Sequence, residues 1–154
     1  MEHKSLEQLK NRAAVVELEE RVAPSPRELR RMRLERLAEV LTKHGGPVTL
    51  LTRIEYLPEQ DRLPLRIDNS PLEIAYRDPV LRTQGLAGDR LGDGVAFFDL
   101  SAAEAHYLLC DCHYSGMVTG EMIASRARTI ANRVSIGEMV EKVGARLRQW
   151  FGRG

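Results

Sequence analysis

The run His106-Tyr107-Leu108-Leu109-Cys110-Asp111-Cys112-His113 holds both cysteines of the chain and two of its four histidines. Read as one helix, it places His106, Cys110 and His113 at i, i+4 and i+7, one stripe beside a core face of Ala105, Leu108, Leu109 and Cys112. On that reading Cys112 is a small buried hydrophobe, as most free cysteines are, and the stripe lies at the flank of the core. Three chemistries suit such a flank. It serves as a plain packing edge, with each histidine bonded to a neighbouring carbonyl. It serves as a metal half-site, His106, Cys110 and His113 offering the nitrogen and sulfur donors that zinc prefers. Or it activates Cys110 as a nucleophilic or redox-sensitive thiol, with an imidazole one turn away lowering its pKa.

Each chemical reading asks for more than the stripe supplies. Zinc needs four ligands, or three and a water, and His44, Asp99 or Asp111 would have to complete the set. The spacing follows no zinc signature. A catalytic thiol needs oxyanion donors and a group that orients the histidine, and no such set is legible, so no catalytic constellation is complete.

Other motifs are weaker. The stretch 85–94 is rich in glycine but lacks the Gly-Lys-Ser/Thr ending that meets phosphate. Read as a calcium loop from Asp89, it puts Leu91 and Leu100 where oxygen ligands are required. A tight loop with Asp89 or Asp93 capping the next helix is the simpler expectation. The helix expected over 119–133 exposes Ser125, Arg128, Thr129 and Asn132, side chains suited to a helix-turn-helix contact with DNA. Asp99, Glu104 and Asp111 set negative charge on or beside the first helix of that pair, which would lie near the DNA backbone, and this disfavours nucleic acid.

The elements that must position these residues follow from periodicity and punctuation. A first helix is expected over 5–22, with Leu6, Leu9, Ala13 and Val16 at coiled-coil spacing for barely two heptads. Pro24 breaks it, and Ser25, Pro26 and Glu28 spell a capping box for a second helix to about Lys43. Leu29, Leu34, Leu37, Val40 and Leu41 give that helix a core face, with Arg30 and Arg33 on a solvated edge. Residues 48–68 fit a helix and a hairpin through 58–61 equally well, and the helical neighbours on both sides favour the helix. Ser70 and Pro71 open another helix, Pro79 restarts the chain, and a short helix ends in Phe97-Phe98. Ser101 to Glu104 forms a second capping box for a helix over 101–113. A turn over 114–118 then joins it to the 119–133 helix, whose stripe is Ile123, Ala127, Ile130, Ala131 and Val134. A last helix over 136–151 aligns Ile136, Met139, Val140, Val143, Leu147 and Trp150.

The fold expected is therefore mainly α, a small helical bundle. Residues 1–44 would form an N-terminal helical arm broken at Pro24–Pro26, and 45–154 a helical body. Within that body lie the hairpin at 101–134 and the terminal amphipathic helix. At 43% hydrophobic and 29% charged residues, the chain has the composition of a folded domain. Its charge is uneven, with an acidic middle between basic ends, which suits packing within the chain or between copies. No run is long and apolar enough to span a membrane, and no apolar core of signal-peptide length follows the N-terminus. With only two cysteines, the expected address is the cytoplasm.

The last helix ends in Trp150-Phe151 beside Arg146, Arg148 and Arg153, the make-up of an interfacial anchor. Glu138 and Glu141 oppose anionic lipid, so packing on the body or on a second copy is expected instead. The leading functional expectation is a protein acting through protein–protein contact, including self-association. The alternatives are a zinc or thiol site at His106, Cys110 and His113, and, third, nucleic-acid binding.

Overall fold

A computed structural model describes residues 23–133 and 136–152, with backbone alone for 136–142. The expected helix over 5–22 and the last stripe residue, Val134, lie outside the described residues. Helices begin where capping residues allow. Ser25 opens α1 (Pro26–His44): the Glu28 amide donates to Ser25 Oγ, and the Ser25 amide donates to the Glu28 carboxylate, each at 3.2 Å. Gly45, in the left-handed region at φ 64°, closes the helix.

Leu34, Leu37, Ala38 and Leu41 of α1 are completely buried, so this helix is the hub of the core. Its main neighbour is α7 (Gly120–Ala131), which buries Ile123, Ala124, Ala127 and Ile130 against it. Small residues make the approach close: a Cβ on Gly120 would fall on the Leu41 carbonyl oxygen. Arg30 and Arg33 of α1 are not solvated as expected. Arg30 pairs with Glu104 at 2.8 Å and donates to the Asp99 carbonyl; Arg33 donates to the Phe97 and Gln84 carbonyls. Each guanidinium satisfies main-chain oxygens at the ends of neighbouring elements, which outweighs hydration.

The segment 48–68 is neither the expected helix nor a hairpin. Val48 to Leu51 run extended between the α1 end and the loop before α7. The Val48 amide donates to Val118 O at 3.0 Å, and Leu51 is paired with Cys110 in a parallel bridge. A 3-10 turn at Ile54–Tyr56 and the one-turn α2 (Glu59–Arg62) follow. Helical and extended spacings of Leu50, Leu51, Ile54 and Leu57 are equally apolar, and pairing with distant main chain decides between them.

The remaining short helices cover the other sides of α1. They are α3 (Pro71–Arg77), capped by Ser70, α4 (Pro79–Thr83), capped by Asp78, and α5 (Leu91–Phe98). In the glycine-rich loop Asp93 accepts from the Arg90 amide, a capping contact, while Asp89 holds Arg66. The chain ends in α6 (Ala102–Leu109), α7 and α8 (Ile136–Phe151), so the fold is mainly α, with no strand among the described residues. Packing on the body does not hide the tip of α8, since Trp150 is 86% and Phe151 80% exposed.

Candidate metal centre

Ser101 fixes the start of α6 by the expected capping box: the Glu104 amide donates to Ser101 Oγ at 3.1 Å, and the Ser101 amide to Glu104 at 2.9 Å. His106 stands in the last turn. The helix ends at Leu109, four residues earlier than the periodicity predicts, because Cys110 turns extended at φ −99° and ψ 137°. Leu51 takes over the main chain there: its amide donates to Leu109 O at 3.1 Å, and its carbonyl accepts from the Asp111 amide at 3.0 Å. A 3-10 turn at Asp111–His113 then folds the chain back over the helix end.

That break exchanges the two cysteines. Cys110 is completely buried, where a reachable flank residue is predicted, and Cys112 is exposed, where a core residue is predicted. The stripe of His106, Cys110 and His113 therefore does not exist as helical register. His106 and His113 nonetheless meet, with ring centroids 4.6 Å apart at 87° and His113 Nε2 2.7 Å from His106 Nδ1. Cys112 Sγ lies 3.7 Å from His106 Nε2. The same nitrogen is 3.1 Å from Glu55 Oε2, a carboxylate brought from the 3-10 turn after the extended segment.

The proton arrangement follows from these contacts. An ionised Glu55 only accepts, so His106 Nε2 carries the proton it receives, and in a neutral His106 the Nδ1 then accepts from His113 Nε2–H. The Glu55 amide and then His106 hold the Glu55 carboxyl below its ordinary value. Burial pushes the Cys110 thiol up to about 11, and its Sγ lies 3.9 Å from Glu55 and 3.8 Å from Asp111 as a donor. It is a proton-bearing thiol, the opposite of the activated nucleophile considered above.

The ligand atoms of His106, Cys112 and His113 all lie within 4.8 Å of one another, and so do those of Glu55, His106 and Cys110. None of His44, Asp99 and Asp111 joins either group; the Asp111 carboxylate lies 3.8 Å from the Cys110 thiol. Zn–S and Zn–N lengths at a tetrahedral angle put sulfur and nitrogen about 3.6 Å apart. Cys112 and His106 stand at 3.7 Å without rearrangement.

Arg126 of α7 props the loop from behind. It donates to the Tyr107 carbonyl at 2.9 Å and to the His113 carbonyl, and its guanidinium lies 3.6 Å over the Tyr114 ring. Tyr114 in turn donates to Leu108 O at 2.9 Å, and burial raises its phenol to about 12. Elsewhere on α7, Thr129 and Asn132 spend their polar groups on their own helix, donating to the Ser125 and Arg128 carbonyls. Compared with known protein families, curated proteins and solved structures, the chain matches none.

Proposed function

We propose that the protein binds a divalent transition metal, zinc by donor chemistry, at His106, Cys112 and Glu55, with His113 as fourth ligand or as the hydrogen-bond partner of His106 Nδ1. The observation that carries this reading is the convergence on His106 Nε2 of a thiol at 3.7 Å and a carboxylate at 3.1 Å, from different segments. Imidazole, thiolate and carboxylate are zinc donors, and the other ring nitrogen of a ligating histidine is hydrogen-bonded, as His106 Nδ1 is here to His113. Metal at Nε2 would shift His106 to its Nδ1–H tautomer, donating to His113 Nε2, and would displace the Cys112 proton, so affinity rises with pH. A working thiolate ligand implies a reducing compartment, which fits the cytoplasm.

Cobalt substitution tests the assignment. Co(II) added to the full chain should give a thiolate charge-transfer band that Cys112→Ser abolishes and Cys110→Ser leaves in place. No band, together with no zinc in the purified protein, overturns it.

A second reading, contact with another protein or another copy of this chain, is favoured by exposed side chains flanking the same loop. Tyr56, next to Glu55, is 79% exposed, and Met117, after His113, is 73% exposed. Light scattering with zinc and with chelator decides it; a strict monomer in both counts against self-association.

A further inference from the structure

The second half of α8 is amphipathic and unburied. Val143 and Leu147 are each more than half exposed, and Trp150 and Phe151 almost wholly so. At about 100° per residue these four share one side of the helix, with Arg146 and Arg148 at its two borders. No acidic residue follows Glu141 in the sequence. An apolar face ending in aromatic rings, edged on both sides by long cationic side chains, is matched by a surface with greasy depth and negative charge.

We propose that this half-helix seats on an anionic lipid surface, its axis in the plane of the interface. A second copy suits it less well. Parallel pairing sets the arginines of one helix against those of the other, and antiparallel pairing carries the two aromatic ends to opposite tips. Four apolar side chains also supply little of the roughly 1,200 Å² that a stable interface buries.

Trp150 is the only tryptophan of the chain, so its emission reports this face alone. The full chain is titrated with vesicles of phosphatidylglycerol and phosphatidylcholine in equal parts, with phosphatidylcholine vesicles as reference. The expected result is a shift of emission to shorter wavelength on the anionic vesicles, reversed by salt. Replacing both arginines, Arg146→Gln with Arg148→Gln, should weaken partitioning about thirtyfold while leaving the exposed helix in place. Unchanged emission on anionic vesicles overturns the proposal. So does a shift that grows with protein concentration in the absence of lipid, which would assign the face to a second copy.

Discussion

Leu51 and Cys110 are bridged through the main chain, and that bridge decides which cysteine meets solvent. Leu51 gives its amide to Leu109 and takes the Asp111 amide, so the residue between them is drawn out of the helix and its thiol is closed into the core. Two residues later the 3-10 turn delivers Cys112 outward. Thiol titration of the native, chelator-treated protein should therefore show one fast group. Cys112→Ser removes it, whereas Cys110→Ser leaves it, and Cys110 reacts only as the chain unfolds. Equal rates for the two thiols would contradict the assignment.

How far this site is legible in the sequence follows from the same bridge. The capping boxes at Ser25 and Ser101 are local, three residues from donor to acceptor, and both form as written. The apolar stripes of α1 and α7 are local as well, and both face the core. The end of α6 is not local, because residues 101–113 remain helix-compatible by pattern, and a main-chain bridge from Leu51, 59 positions before Cys110, ends them at Leu109. Glu55 is hidden for the same reason, since no spacing rule links it to His106. Pairing between distant main-chain segments leaves no periodic trace.

Arg126 ties the loop over 110–113 to α7, so on the proposed metal reading its removal should loosen the site. Arg126→Met keeps bulk over the Tyr114 and Tyr107 rings but loses the donors to the Tyr107 and His113 carbonyls. Cobalt affinity should fall about tenfold, in the range found for outer-shell supports of metal ligands, with Arg126→Lys in between. Loss of thermal stability with unchanged affinity would show that Arg126 braces the fold and not the site.

Acid should weaken the anchor between α1 and α4. Asp78 caps α4 and accepts two bonds from Arg36, at 3.1 and 2.8 Å; chiefly that guanidinium holds its carboxyl below the ordinary 3.8. A depressed native value means that the stabilisation is complete above the unfolded value and is lost as pH falls through the native one. Asp78→Asn keeps a capping oxygen and removes the charge, so it should cost about 1–2 kcal/mol at neutral pH. Urea melts of the two proteins should converge only as pH falls through the depressed native value of Asp78, below the ordinary 3.8. A gap that persists there would place the effect in packing.

The α1–α7 contact sets two glycine substitutions apart by sign. Alanine is favoured over glycine within a helix by about 1 kcal/mol, so propensity alone predicts a gain at both Gly120 and Gly144. At Gly144 a Cβ meets only the Arg148 guanidinium at 3.8 Å, an ordinary contact, and Gly144→Ala should raise the helicity of α8. At Gly120 the new carbon would strike the Leu41 carbonyl oxygen, main chain that cannot swing aside as a side chain would. The helices must part, opening gaps around Leu41, Ala124 and Ile123, so Gly120→Ala should destabilise the fold by about 1–3 kcal/mol. Circular dichroism reads the first change and a urea midpoint the second. A stabilised Gly120→Ala protein would mean that α1 and α7 do not approach as closely as the buried small residues of both helices require.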